Sequence, residues 1–294
     1  MIISLRQLEY AVAVADTLGF HKAAARCHVS QPALSSQIKE LEDALGVALF
    51  ERSRRAVMIT SAGEKIVERA RVILRDVKEL GQVAEQARDP FAGTLRVGVI
   101  PTIAPYLLPE VTPALAKKWP KLRLVFREEK TEDVVRDLES GALDAGLVAL
   151  EADLGDLARA VVMKDPFVVA LPRGHALAKK KTIDLGDLDA CDVLLLDEGH
   201  CFRAQALALC ERAGARENEF RATSLSTLSQ MVTSGSGVTL LPKLAVPVEN
   251  RRGQLEVRPF RGPHAPSRTI ALVWRKTSPL APVFHAIAKQ ISRA

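Results

Sequence analysis

Apolar residues recur at Ile66, Ala70, Ile73, Val77, Leu80, Ala84 and Ala87, with spacings of 4, 3, 4, 3, 4 and 3. A seam sustained for about three heptads and flanked by charges requires a long helix whose apolar edge meets another surface. That surface is a second copy of the chain or the helix's own domain. Thr60 or Ser61 caps the start, Glu64 sits in the first turn, and Asp89, Pro90 and Gly93 break the end. The 294-residue chain therefore divides into a small head over 1–60, a connecting helix over 61–89 and a larger module over 90–294.

The head patterns as helices. Ser4 and Gln7 form a capping box ahead of Leu5, Leu8, Val12 and Ala15 at helical spacing, and Gly19 is expected to stop this first helix. A short second helix over 21–28 carries Ala23, Ala24 and Ala25, whose small side chains allow close approach by a neighbour. After a turn at Val29 and Ser30, Ser30 caps a third helix with Pro32 in its first turn and Leu34, Ile38, Leu41 and Leu45 on one face. Two short helices across a tight turn predict a helix-turn-helix, although a plain three-helix core has the same pattern. Gln31, Ser35 and Ser36 are short polar groups suited to base edges, and Pro32 to a thymine methyl; Lys39 suits a phosphate. Each of these also suits a merely solvated face. Arg52, Arg54 and Arg55 cluster where a small β-wing would put guanidinium groups against phosphates.

Beyond residue 93 the period changes. Leu95, Val97 and Val99 alternate, a helix spans 103–118, Leu122 to Phe126 alternate, and Thr131 heads a helix to Ser140. Short apolar runs follow at 143–150, 167–171 and 193–196, which predicts a parallel-rich α/β module. It divides into lobe I, about 90–163 and 267–294, and lobe II, about 164–266; the last strand, 269–275, and helix, 282–291, return to lobe I. A cleft between two such lobes is a natural sensing site.

Composition narrows the class. A net charge of +6 favours an anionic partner without locating its site. Two Trp, two Tyr and nine Phe are too few for stacking on single strands, so any nucleic acid bound is expected to be duplex. Four Cys do not make a disulfide scaffold, and the longest charge-free stretch, 222–242, is rich in Ser and Thr. The expectation is a cytoplasmic protein without membrane partner, metal or cofactor.

Residues 27–55, CHVSQPALSSQIKELEDALGVALFERSRR, resemble the signature of LysR-type transcriptional regulators. IPTIAPYLLP at 100–109, DEGHCFRAQALALC at 197–210, FRATSLSTL at 220–228 and GSGVTLLPKLAVP at 235–247 resemble the peroxide-sensing OxyR subgroup. The resemblance implies an N-terminal winged helix-turn-helix, a dimerising linker helix and a two-lobed regulatory domain like periplasmic binding proteins. It further implies a tetramer on double-stranded promoter DNA, with hydrogen peroxide as signal, RNA polymerase as partner and a thiol reductant to reset it.

The four cysteines differ. Cys27 and Cys191 fall in apolar patterns and are expected to be inert core residues. Cys201 starts a helix beside His200 and two residues before Arg203, so the helix end and cationic neighbours are expected to favour its thiolate. By resemblance, Cys201 attacks peroxide and Cys210 resolves the sulfenic acid as a disulfide, while Thr102, Thr131 and Arg268 complete the pocket. Read without the resemblance, Thr131 is also a helix N-cap, Thr102 a loop residue and Arg268 a surface strand end. Ala204 stands where relatives often carry Asp. Two other functions share parts of this pattern: a LysR-type regulator with an organic effector in the cleft, and a thiol peroxidase, for which the head and heptad seam have no use.

Overall fold

The computed structural model describes residues 3–52, 57–86 and 89–293. Its contacts divide the chain into two compact units, 1–84 with 139–142, and 85–138 with 143–294.

In the first unit, α1 (Leu5–Thr17) opens with the expected capping box: the Ser4 hydroxyl accepts the Gln7 N–H, and Gln7 Oε1 accepts the Ser4 N–H. Leu18, with φ 46°, ends the helix in the left-handed region, and Gly19 instead caps α2 (Phe20–Arg26). Ser30 caps α3 (Gln31–Leu45), which stops at Gly46 with φ 71°, where glycine carries no Cβ penalty. Leu34, Ile38 and Leu41 turn inward on Ala11, Val14, Ala23 and Ala24, leaving the opposite face of α3 in solvent. Glu42 Oε1 accepts the backbone N–H groups of Leu49 and Phe50, tying α3 to β1 (Phe50–Arg52), which pairs antiparallel with β2 (Val57–Ile59). Thr60 accepts the Gly63 N–H at the start of α4 (Ser61–Gln86), and a Cβ on Gly63 would lie 2.2 Å from the Leu49 carbonyl. Early in α4, Val67 and Ala70 enter the head core. Farther along, Ile73, Val77 and Leu80 are 37%, 43% and 70% exposed, so the later seam lacks cover within this unit. Ala87 lies outside the described residues.

The second unit holds a sheet in the order β4 (Leu122–Glu128), β3 (Gly93–Val99), β5 (Ala145–Ala149), β11 (Ser267–Arg275), β6 (Leu157–Pro172), β9 (Val238–Pro242), β7 (Asp192–Leu196) and β8 (Arg216–Ala222). The short β10 (Leu255–Pro259) also pairs with β6. The sheet is mixed rather than parallel-rich: pairs β3–β4, β3–β5, β7–β8 and β7–β9 are parallel, while β11 and β6 run against their neighbours. The reason is the return of β11 to lobe I, alongside a 16-residue β6 whose first part pairs with β11 and whose last part pairs with β9 and β10. One strand thus serves both lobes. Helices α5 (Ala104–Lys118), α6 (Thr131–Glu139) and α10 (Ala281–Ile291) flank the lobe I strands; α7 (Cys201–Ala213), α8 (Leu225–Thr233) and the short α9 (Val246–Glu249) belong to lobe II. Each lobe has its own apolar cluster, one around Leu147, Leu272 and Phe284, the other around Val169, Leu194 and Leu240. Among the described residues no helix is long and apolar enough to cross a membrane.

Candidate functional site

Cys201 is the first residue of α7 and is half-buried, packed against the lobe I cluster, while Cys210 belongs to the lobe II cluster. Gly199 turns the chain at φ 82°, and His200 takes the N-cap position without a side-chain cap bond, its carbonyl accepting the Arg203 N–H at 2.9 Å, so Cys201 opens a helix whose N-terminus no side chain caps. A helix N-terminus of this kind favours negative charge. Cys201 shares a narrow recess with Ile100, Pro101, Thr102, Lys130, Thr131, Gly199 and His200. All four cysteines are free thiols.

The hydroxyls in the recess are presented differently. Thr102 is 3% exposed, and its Oγ1 accepts Arg268 Nη1 at 2.6 Å, which leaves the hydroxyl hydrogen as a donor. Thr131 is the first residue of α6 rather than its cap: Val134 N–H reaches the Lys130 carbonyl, and the buried Thr131 Oγ1 has no hydrogen-bond partner. Both amide atoms of Gln205 are likewise buried without a partner. Gln205 stands four residues after Cys201, on the same helix face, a position the sequence reading passed over although i,i+4 spacing points to it.

Two expected cations behave otherwise. Burial, and next the Lys130 charge, hold His200 below its ordinary pKa, so it is a neutral imidazole at neutral pH. Arg203 is committed to Glu217 at 2.8 Å and to the Leu196 carbonyl at 3.1 Å and does not line the recess. Arg268 is no surface residue: fully buried, it pairs with Asp165 at 3.0 Å, grips Thr102 and lies 5.7 Å from the Phe202 ring. The cation that does line the recess is Lys130, which sequence spacing did not single out.

The other cysteines separate by environment. Burial, then Glu217 and Glu211, push the Cys210 thiol up to about 11, so it is a neutral thiol in this fold. Cys27 and Cys191 are half-buried rather than fully inside, because one caps α2 and the other precedes β7; burial raises both. Beside the recess, sharing Pro101, Thr102 and His200, a cavity of about 310 Å³ opens between the lobes. Tyr106 on α5 crosses it to donate to Glu249 Oε1 on α9 at 2.6 Å.

In the head, Gln31, Pro32, Ser36 and Lys39 are exposed on the outer face of α3, and Ser35 is half-buried. Ser36 Oγ bonds Glu40 at 3.2 Å. Arg52 ends β1 opposite Val57, whereas Arg54 and Arg55 lie outside the described residues.

Residues 5–64 match the family model described as bacterial regulatory helix-turn-helix protein, lysR family, and residues 88–294 match the LysR substrate binding domain. The DNA-binding transcriptional dual regulator OxyR of Escherichia coli (strain K12) is 43% identical over 290 residues, 98% of this chain and 95% of the relative. The chain belongs to the OxyR group of the LysR family. A full-length OxyR variant from Pseudomonas aeruginosa superposes with a TM-score of 0.80 at 38% identity, covering 99% of this chain and 95% of that one. A structure of the oxidized form of OxyR matches with a TM-score of 0.63 at 40% identity, over 70% of this chain and 97% of the other. The fold is thus a helix-turn-helix head joined to a two-lobed α/β regulatory domain, as in OxyR structures.

Proposed function

We propose that the protein is a transcriptional regulator that senses hydrogen peroxide through Cys201 and reports it at double-stranded promoter DNA. The observation that carries this reading is the placement of Cys201 at the uncapped start of α7, in one recess with the hydroxyls of Thr102 and Thr131. A thiolate here attacks one peroxide oxygen; the S–O bond forms as the O–O bond breaks, and the departing hydroxide takes up a proton to become water. Thr102, Thr131 and Gln205 supply hydrogen bonds that orient the two oxygens, and Arg268 fixes Thr102. The Cys210 thiol then attacks the sulfenic sulfur, releases water and closes a Cys201–Cys210 disulfide, which thiol–disulfide exchange with a reductant reopens.

In the head, the exposed face of α3 supports base contacts by Gln31, Pro32, Ser35 and Ser36, with Lys39, Arg52, Arg54 and Arg55 on phosphates. The exposed seam of α4 supports a dimer through the linker helix, and the reading extends to a cytoplasmic tetramer working with RNA polymerase. The boundaries 1–60, 61–89 and 90–294, with His200 and Arg203 as supports of the site rather than cations at the sulfur, belong to the same proposal.

Free-thiol counting before and after one equivalent of peroxide, paired with promoter footprinting, tests it. Loss of two thiols, mapped to Cys201 and Cys210, with an altered footprint is expected; sustained turnover of peroxide without specific DNA binding would instead mark a thiol peroxidase. The cavity beside Tyr106 favours one second reading, an organic effector between the lobes, which would alter the footprint with all thiols intact.

A further inference from the structure

The recess needs a positive charge. Thiolate attack on peroxide places negative charge first on sulfur and then on the departing oxygen, and fixed cations nearby favour both stages. Neutral His200 cannot supply it, and Arg203 is spent on Glu217. The Arg268 guanidinium divides its donors between Asp165 and Thr102 and carries its carboxylate with it.

Lys130 differs from all three. It lies between β4 and α6 in lobe I, lines the recess with Cys201, and forms no ion pair among the described residues. Its Nζ donates to the Glu198 carbonyl of lobe II at 3.0 Å, using one of three N–H donors. Its stem lies over Gly199, where a Cβ would stand 2.8 Å from Nζ and 3.0 Å from Cδ at a φ of 82°. Glycine at 199 is favoured by the positive φ of the turn, and a Cβ there would displace the flexible end of Lys130. Lys130 also contributes to keeping His200 neutral, after burial.

We propose that Lys130 is the positioning residue of the Cys201 site, clasping the Glu198–His200 turn across the lobe boundary and holding the unneutralised positive charge of the recess. This deepens the peroxide-sensing reading and rests on it. The thiolate attacks, hydroxide departs and is protonated from solvent, and Lys130 keeps its own proton throughout.

The test uses the reduced full-length protein with Lys130→Met and Lys130→Arg. Cys201 alkylation is followed by peptide mass spectrometry with anionic iodoacetate and neutral iodoacetamide, Cys27 and Cys191 serving as internal controls. In water a unit charge at contact distance is worth at most about fivefold, so Lys130→Met should lower the iodoacetate-to-iodoacetamide rate ratio at Cys201 by up to about that factor. Lys130→Arg should restore it, the control cysteines should not change, and the difference should shrink near 1 M salt, where the screening length is about 3 Å. Sulfenic acid formation by hydrogen peroxide should slow in the Met variant alone. An unchanged ratio, or an Arg variant as low as Met, overturns the proposal by itself. Wild-type protein that gives the expected ratio but forms neither a sulfenic acid nor a disulfide at Cys201 with peroxide overturns the peroxide reading and the proposal with it.

Discussion

Arg268 holds Thr102 with both arms of its guanidinium fork, Nη1 on the hydroxyl at 2.6 Å and Nη2 on the carbonyl at 2.8 Å, while Nε reaches Asp165 at 3.0 Å. These residues come from three distant parts of the chain and meet fully buried beside α7. Asp165 Oδ1 in turn accepts the Leu244 N–H, so one carboxylate ties the Thr102 loop, β11 and the segment after β9 together. The orientation of a hydroxyl in the recess is thereby set by the junction of the lobes.

Arg268→Met should therefore damage folding and sensing together. Removing one partner of a buried ion pair strands the other charge, at a cost of about 3 to 5 kcal/mol. The midpoint of urea unfolding reads this loss. Thr102→Val should be milder, about 1 to 2 kcal/mol, since it strands one buried Nη1 donor. It should nevertheless slow Cys201 oxidation, because the oriented hydroxyl is gone. A Thr102→Val protein oxidised at the wild-type rate would remove Thr102 from the site.

His200 makes stability depend on pH with a definite sign. Its folded pKa lies below the ordinary 6.5, chiefly through burial, so the unfolded chain takes up a proton first as pH falls. The stabilisation is fully present above about 6.5 and is lost as pH drops through the folded value. His200→Gln should flatten this part of the profile. Thermal unfolding at pH 7.5 and at about pH 5 measures it: the Tm difference between the two pH values should be smaller in the variant, and an equal difference would show that folding does not lower the His200 pKa.

Local rules carried the head a long way. The Ser4 box, the Ser30 cap and the inward face of α3 follow from residues within four positions of one another, and all stand as expected. The start of α7 at Cys201 was legible for the same reason. Arg268 was not, because its partners lie 103 and 166 positions away, and a strand-end arginine has no local mark of burial. The neutrality of His200 and the place of Lys130 share that cause: each is decided by the other lobe. The sheet's mixed sense was missed because alternating residues announce a strand without its direction.

The heptad seam gives a prediction free of the chemistry. Ala70 is covered by the head, whereas Ile73, Val77 and Leu80 are progressively exposed along the same edge of α4. Ile73→Asp should weaken self-association and promoter binding together, the latter by tenfold or more, because a dimer would bury an unpaired carboxylate. Sedimentation and footprinting titrations read the two effects. A variant with unchanged mass and affinity would place the dimer interface elsewhere.

The last prediction follows from α7 being continuous from Cys201 to Ala213. Nine residues of helix separate Cys201 from Cys210 by about 13.5 Å along the axis and roughly half a turn around it. A disulfide needs Cα atoms about 4.4 to 6.8 Å apart, so the bond cannot close on the intact helix. Unwinding its first turns would pull Phe202 from its edge contact with Phe167, 5.1 Å between centroids, and from the Arg268 guanidinium. It would also bring Cys210, now 1% exposed with its thiol pushed up to about 11, into water where ionisation is easier. Cys210→Ser should consequently arrest the chain as a Cys201 sulfenic acid with α7 still protected from hydrogen exchange. In the wild type, oxidation should remove amide protection across 199–212 and change the promoter footprint. Hydrogen exchange followed by mass spectrometry separates the outcomes: identical protection in reduced and disulfide-bonded protein would mean that the bond forms without remodelling α7 and that the switch lies elsewhere.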